Sequence, residues 1–205
     1  MTHNIFVPQH HLGTLVVDVG GVVGDTLSSF TKHGAECFGL EHQVADARVP
    51  SYDLRDWWAT PKQFEEVLRS YQQRQNPWAS MPRVRAEDFD ALLSVYDHAN
   101  IIFYSEAPPT RGASVKQQVR AFLQREGIAH PQVEVPPPGS SLTLGQVCAV
   151  YGARAVLDDN PRHLDSVLAH SPDTLPLLQY YDHNQASEHV HVDGVREFLY
   201  VLRAA

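Results

Sequence analysis

Four apolar runs of strand length in this chain each end in polar residues. Longer amphipathic stretches separate the runs, and this alternation is typical of a parallel sheet covered by helices. In an open sheet of that kind, ligands bind beyond the carboxyl ends of the strands. We therefore predict an α/β fold with a Rossmann-like, three-layer parallel sheet and one crevice at the strand ends. The runs are residues 14–17, 100–104, 155–157 and 176–180, and they lead into Asp18, Ser105, Asp158–Asp159 and Asp182–His183–Asn184.

Asp18 interrupts the most apolar of these runs, LVVDVGGVVGDT at residues 15–26. Burying an unpaired carboxylate costs several kcal/mol, so an acid is kept in such a place where it meets a metal ion, a cation or a substrate. Gly20 and Gly21 follow at once, and glycine allows the chain to turn sharply beside a ligand. The pattern predicts a functional role for Asp18.

A long segment, residues 27–98, separates the first two runs and has helical signals of its own. Helices are predicted over residues 28–40, from Pro61 after the cap residue Thr60, and over residues 87–96. We predict that the segment is a small helical cap inserted into a core domain of residues 1–26 and 99–205. Ordinary crossover packing is the alternative, and the sequence does not decide between them. Later helices are predicted over residues 116–127 and 144–151.

Composition limits the partners that the chain is expected to have. With 43% hydrophobic residues, a chain of 205 residues is large enough for one sizeable core. A net charge of −8 argues against a nucleic-acid polymer or a membrane surface as partner, because both are bound by clustered Lys and Arg. Only two cysteines, Cys37 and Cys148, are present and no secretory leader is apparent, so we expect a cytoplasmic protein with free thiols. Homo-oligomerisation is left open.

Three of the strand ends, in this order, resemble motifs of the haloacid dehalogenase (HAD) superfamily. Any one of them alone also fits a turn or a helix cap, but their joint occurrence favours a site. The stretches YDLRDWW, TPKQFEEVL and LDDNPRHLDSVLAH are similar to small nucleotidase-type members, including the 5′(3′)-deoxyribonucleotidases. The motifs are DVGGVVGDT from Asp18, Ser105 after IIFY, and Asp158–Asp159 after AVL.

The resemblance implies a phosphatase site. Asp18 is then the nucleophile that attacks phosphorus, and Ser105 binds a phosphoryl oxygen. A Mg²⁺ ion is then bound by Asp18, the carbonyl of Gly20, and the acidic pair Asp158 and Asp159. The residues predicted to contact the small anionic substrate are Gly20, Gly21, Ser105, Glu106 and Arg111.

Two positions depart from the pattern of the superfamily. Gly20 stands where its phosphatases carry a second aspartate, which acts as the general acid and base. The usual lysine is also absent, since no lysine lies between residues 117 and 159. Lys116 is the nearest catalytic candidate, and Arg111, Arg154 and Arg162 are possible substitutes. The candidates for the missing acid and base are His33, His163, His183 and Asp25.

We therefore expect a Mg²⁺-dependent phosphomonoesterase acting on a small phosphorylated metabolite such as a nucleoside monophosphate. Tyr52, Trp57 and Trp58 of the cap are candidates for stacking on a base. The alternative is a catalytically degenerate relative that binds a ligand or regulates a partner. A dehalogenase is a third possibility, against which the two adjacent carboxylates argue because their repulsion requires a cation.

Overall fold

The computed structural model of the chain describes residues 12–38, 61–97, 99–182 and 184–204. Six strands in these residues form a single sheet in which every pairing is parallel, in the order β3-β2-β1-β4-β5-β6. The predicted α/β fold class is therefore confirmed. The strands are β1 (Thr14–Asp18), β2 (Asn100–Tyr104), β3 (Gln132–Glu134), β4 (Ala155–Asp158), β5 (Leu175–Gln179) and β6 (His191–Val192).

Helices connect the strands. Those predicted over residues 28–40, 87–96, 116–127 and 144–151 are present within two residues of these limits, and the predicted helix from Pro61 begins there. Two of them, α4 and α5, start with capping boxes in which a Ser or Thr and a Gln exchange hydrogen bonds. Among the described residues, no helix combines the length and the apolar character that crossing a bilayer requires. The helices are α1 (Thr26–Phe38), α2 (Pro61–Gln72), a 3₁₀ turn (Pro77–Ser80), α3 (Ala86–Val95), α4 (Val115–Arg125), α5 (Leu144–Tyr151), α6 (Pro161–His170) and α7 (Val195–Ala204).

The sheet is the middle of three layers, because successive side chains of a strand point to opposite faces. Leu15 and Val17 of β1 belong to the larger core cluster, which includes residues of α3, α4 and α7. Val16 belongs to the smaller cluster, with residues of α5 and α6. Both faces of the sheet are therefore buried, which explains why its strands read as continuous apolar runs.

The strand order reverses at β1, which lies between β2 and β4. Asp18 is paired in register with Tyr104, and Val17 is paired with Leu157, so the three strands end at the same edge of the sheet. A parallel sheet opens into a ligand crevice at such a switch point. The topology thus brings Asp18, Ser105 and Asp158 to a common edge, as the sequence predicted.

The described part of the segment after β1, residues 26–38 and 61–97, forms a helical layer over this edge. Helix α1 packs against α2, where the rings of Phe30 and Phe64 have centroids 6.1 Å apart. Helix α3, by contrast, packs against α7 of the core, and Asp88 accepts a hydrogen bond from the backbone N–H of Arg196. The cap boundaries at residues 27 and 98 remain a prediction, and both α3 and the 3₁₀ turn of that span contact helices of the core.

Candidate active site

Three buried carboxylates meet at the ends of β1 and β4. Asp18 ends β1, Asp158 ends β4, and Asp159 follows directly. One carboxylate oxygen from each lies within 4.8 Å of the others. The residues are only 5%, 0% and 3% exposed, respectively. A cluster of like charges this deep in the protein requires positive charge or protons to be stable.

The protonation of the cluster reflects this crowding. Burial raises the pKa of Asp18 well above its ordinary value, and the charges of Asp158 and Asp159 raise it further. Burial and the charge of Asp158 likewise raise the pKa of Asp159. The positive charge of His163 lowers both pKa values without cancelling the rise. Without a cation, the carboxyl groups of Asp18 and Asp159 therefore tend to bind protons at a pH where exposed carboxyls are ionised.

The oxygen atoms around Asp159 fit a divalent cation. Within the described residues, Asp159 Oδ1 is buried and has no hydrogen-bond partner. Gly21 leaves space beside this carboxylate, since a Cβ atom there would lie 2.1 Å from Asp159 Oδ2, and its φ of +85° also favours glycine. Mg²⁺ prefers oxygen ligands, and carboxylates are its usual protein partners. Asp18, Asp158 and Asp159 are therefore a donor set suited to Mg²⁺.

His163 is the cation that the structure places beside the carboxylates. Asn160 caps α6 with its side chain, so that His163 lies in the first turn of that helix. Its Nδ1 is 3.0 Å from Asp158 Oδ2 and its Nε2 is 3.3 Å from Glu106 Oε2. Burial lowers the pKa of His163, but these two carboxylates and Asp18 outweigh burial and raise it to about 11. The imidazole is thus charged at neutral pH and compensates part of the negative charge.

Glu106 is held at the mouth of the site by two donors. It accepts hydrogen bonds from His163 and from the hydroxyl of Tyr104. The hydrogen bond from His163 lowers the pKa of Glu106, and burial opposes this only partly. The carboxylate is therefore ionised, and its charge faces the same cavity as Asp18.

A cavity of about 290 Å³ lies above the strand ends. One side of it is polar, and there the hydroxyl of Ser105 accepts a hydrogen bond from the backbone N–H of Ala107 at 3.3 Å. The other side is apolar and comes mainly from the helical layer. The polar side consists of Asp18, Gly20, Thr26, Ser105, Glu106, Asn160 and His163, and the apolar side of Phe30, Phe64, Leu68, Trp78, Ala107 and Pro108.

Not all of the predicted site residues reach this cavity. Asp18, Gly20, Ser105 and Glu106 line it, with the acidic pair beside them. Lys116 instead pairs with Glu134, 3.4 Å from Nζ to Oε2, and lines a neighbouring cavity. Arg111 is exposed and does not line the cavity, and its backbone pairs with residues 72 and 76. The catalytic and substrate-binding roles of these two residues remain predictions that their placement does not support.

The other acid and base candidates are found elsewhere or lie outside the described residues. His33 faces the α1–α2 interface, where its Nε2 is 3.0 Å from Ser70 Oγ. Asp25 accepts a hydrogen bond from the backbone N–H of Ser28 in the first turn of α1. Of the predicted residues, His183, Tyr52, Trp57 and Trp58 lie outside the part of the chain that the structure describes.

Residues at and just after the end of β5 donate hydrogen bonds to the turn after β1 and to Asp159. Two of them, Gln179 and Tyr181, were not predicted from the sequence. Gln179 and Tyr181 both donate to the carbonyl of Gly21, at 3.1 and 2.5 Å. Asn184, in the predicted ending of the fourth run, donates to the carbonyl of Asp159 at 3.0 Å. The two contacts to Gly21 span 158 and 160 residues of the sequence, and the contact to Asp159 spans 25. Such long-range contacts leave no local signal in the sequence.

Comparison with solved structures relates this fold to known proteins. A haloacid dehalogenase-like hydrolase from Burkholderia xenovorans matches with a TM-score of 0.58 and 15% identity, over 92% of this chain and 95% of that one. A HAD-superfamily hydrolase of subfamily IA from Geobacter sulfurreducens matches with a TM-score of 0.56 and 14% identity, over 92% of this chain and 98% of that one. No protein-family model matches the sequence, and neither does any curated protein. The chain therefore has the fold of HAD-superfamily hydrolases, and the predicted resemblance is confirmed at the level of the fold.

Proposed function

We propose that this protein is a Mg²⁺-dependent phosphomonoesterase with Asp18 as its nucleophile. One observation carries the proposal: three buried carboxylates lie within 4.8 Å of one another beneath a cavity, and one of their oxygens has no partner among the described residues. An arrangement that costs stability in the absence of a cation is expected where a cation serves function. The fold shared with HAD-superfamily hydrolases supports the coarser part of the proposal, that the protein is a hydrolase.

In this proposal each residue of the site has a distinct task. Asp18 attacks phosphorus and becomes an aspartyl phosphate, which water then hydrolyses to regenerate the carboxylate. Ser105 positions a phosphoryl oxygen through its hydroxyl. Asp18, Asp158 and Asp159 would hold Mg²⁺, which when bound would neutralise charge on the carboxylates and on the phosphoryl group. His163 holds Asp158 in place and supplies part of the positive charge that the absent lysine provides in the superfamily.

The proposed substrate is a small phosphorylated metabolite of the cytoplasm. A cavity of about 290 Å³ lies at the small end of the range for ligand sites. Nucleoside monophosphates are the first esters to assay, because the sequence resembles the deoxyribonucleotidases. The apolar side formed by Phe30, Phe64, Leu68 and Trp78 would contact the body of the substrate.

The test is phosphate release from a panel of phosphate monoesters, measured with Mg²⁺ and with a chelator. We expect turnover that requires the metal and is lost in Asp18→Asn. Asp90→Asn is the matched control, because Asp90 is an exposed aspartate on α3 and the same charge is removed. Equal rates for the wild type and Asp18→Asn would contradict the proposal.

A degenerate, ligand-binding relative is the second candidate, and Gly20 is the observation that favours it. Without a carboxylate at that position, the site lacks the general acid that its superfamily uses, and such help contributes about two to four orders of magnitude. Tight binding of phosphate esters with no turnover of any of them would favour this candidate. Halide release from a 2-haloacid in the presence of a chelator would instead identify a dehalogenase.

A further inference from the structure

We propose that the site selects phosphate monoesters whose leaving oxygen belongs to an acidic hydroxyl, such as a phenol, on a small uncharged body. This inference rests on the proposed function and narrows it to aryl esters. Nucleoside monophosphates, whose leaving oxygen belongs to an alcohol, are then expected to be poor substrates. Two independent features of the cavity carry the inference. Within the described residues, no ionisable side chain on its polar side is arranged to protonate the leaving oxygen, and its other side is apolar.

The ionisable groups that line the cavity, within the described residues, are Asp18, Glu106 and His163. Asp18 is the proposed nucleophile. Both ring nitrogens of His163 are taken up by carboxylates, at 3.0 and 3.3 Å. Glu106 accepts hydrogen bonds from His163 and Tyr104, so it acts as an acceptor. None of these side chains is arranged to protonate an oxygen that departs from phosphorus.

The bonding changes show why this matters. In the first step a carboxylate oxygen of Asp18 forms a bond to phosphorus, while the bond from phosphorus to the ester oxygen breaks. The electron pair of the broken bond stays on the ester oxygen, which departs as an anion and takes a proton from solvent. In the second step water attacks phosphorus, releases inorganic phosphate and one proton, and regenerates the Asp18 carboxylate. The first step is fast only if the departing anion is stable, as a phenolate is and an alkoxide is not.

The apolar side of the cavity determines which kind of group the substrate can carry on its ester oxygen. The rings of Phe30 and Phe64 have centroids 6.1 Å apart and face the cavity with Leu68 and Trp78. The indole N–H of Trp78 is already used, since it donates to the carbonyl of Pro108 at 2.9 Å. This surface therefore presents carbon atoms and no free hydrogen-bonding group from the indole. It suits an aromatic or branched apolar group and disfavours a second charge.

A substitution at Gly20 can introduce the proton donor that the described lining of the cavity does not supply to the leaving oxygen. A Cβ atom added there would lie 3.2 Å from Thr26 Oγ1 and 3.8 Å from Asp18 Oδ2. The backbone of Gly20 is outside the left-handed region, so a side chain requires only a small shift of Thr26. Gly20→Asp would thus place a carboxyl group next to the proposed nucleophile. Gly20→Ala adds the same Cβ without the carboxyl group and is the matched control.

The experiment compares phenyl phosphate with benzyl phosphate, which are similar in size but differ in the acidity of the leaving hydroxyl. For the wild type we expect kcat/KM to be at least about 100-fold higher for the phenyl ester, the lower end of what general acid help contributes. In Gly20→Asp this ratio is expected to fall about tenfold or more, and in Gly20→Ala to stay within about twofold. A wild-type ratio near one, or an unchanged ratio in Gly20→Asp, would overturn the inference.

A series of substituted phenyl phosphates tests the same idea in the wild type alone. The logarithm of kcat/KM should rise steeply as the pKa of the leaving phenol falls, whereas a flat plot would contradict the inference.

A carboxylate on the ring of the substrate should lower kcat/KM by at least about tenfold, because the apolar side of the cavity would bury its charge. Equal tolerance of that carboxylate would contradict the apolar requirement. Similar rates on phenyl and benzyl esters leave the proposed function standing, whereas no Asp18-dependent hydrolysis of any ester rejects that function itself.

Discussion

Replacing Asp18 by asparagine is expected to stabilise the protein when a chelator is present. The variant removes one of three buried negative charges that lie within 4.8 Å of one another. Asparagine has nearly the same shape, and its amide oxygen can still accept the backbone hydrogen bond from Val19. The repulsion is lost while the packing is kept.

The structure limits how large this effect can be. A buried carboxyl group can always bind a proton instead of remaining charged, so its cost at pH 7 cannot exceed the free energy of protonation. The ordinary pKa of an aspartate, 3.8, lies roughly three units below pH 7. At about 1.4 kcal/mol per unit, protonation at pH 7 costs about 4 kcal/mol. Since two carboxylates remain, we expect a gain of about 1–4 kcal/mol in the free energy of unfolding. Each kcal/mol corresponds to about 2–4 °C in Tm for a chain of this size.

The pH dependence of the gain has a definite sign. Because the pKa of Asp18 is raised in the folded protein, its contribution to stability is present below pH 3.8 and is lost as pH rises through the folded pKa. Asparagine does not titrate. In chelator, the variant and the wild type should therefore have nearly equal stability near pH 4, and the variant should become increasingly more stable toward pH 7.

The assay is thermal or urea unfolding of both proteins in chelator and in Mg²⁺. Metal at about 100 times its Kd stabilises the wild type by about 2.7 kcal/mol. Asp18→Asn should lose most of this stabilisation by Mg²⁺. The advantage of the variant in free energy of unfolding therefore shrinks or reverses when Mg²⁺ is present. Asp90→Asn should respond to the metal as the wild type does. A destabilised Asp18→Asn in chelator would contradict the repulsion among the carboxylates, and an equal Mg²⁺ response in both proteins would contradict metal binding by Asp18.

Three further substitutions have expected outcomes. Gly21→Ala should weaken Mg²⁺ binding by at least about tenfold in a calorimetric titration, since its Cβ would lie 2.1 Å from a carboxylate oxygen of Asp159; unchanged affinity would contradict the placement. His163→Gln should lower stability in chelator by about 3–5 kcal/mol in urea unfolding, because a buried ion pair loses one partner, and a loss under about 1 kcal/mol would argue against a charged imidazole. Lys116→Met should change kcat/KM less than about twofold and stability by under about 1 kcal/mol, because the side chain of Lys116 is 44% exposed and pairs with Glu134. A large loss of activity would restore its predicted catalytic role.

The strand ends were predictable because their signal is local. A polar residue directly after a buried apolar run identifies both the strand and its carboxyl end, as with Asp18 and Ser105. Once the strands are taken as parallel, their ends must share an edge. The same reasoning missed β3 and β6, which have three and two residues and lie at the two edges of the sheet. Strands this short leave no period that a sequence can reveal.

Side-chain direction was harder to predict than position. Lys116 lies in the first turn of α4, yet it turns toward Glu134 at the end of β3, a contact across 18 residues. His163 was one of several candidates for an acid or base, and only the structure shows that carboxylates hold both of its nitrogens. That role depends on Glu106, which is 57 positions away. A sequence read in one dimension does not show which of several histidines meets two acids.

Whether the three carboxylates form a metal site is tested by a Mg²⁺ or Mn²⁺ binding titration of the wild type beside Asp18→Asn, Asp158→Asn and Asp159→Asn. We expect one divalent cation per chain at the strand ends, with affinity reduced by at least about tenfold in each variant, whereas Asp90→Asn binds as the wild type does. Absence of a stoichiometric site in the wild type, or unchanged affinity in all three variants, would show that the carboxylates do not bind a metal ion.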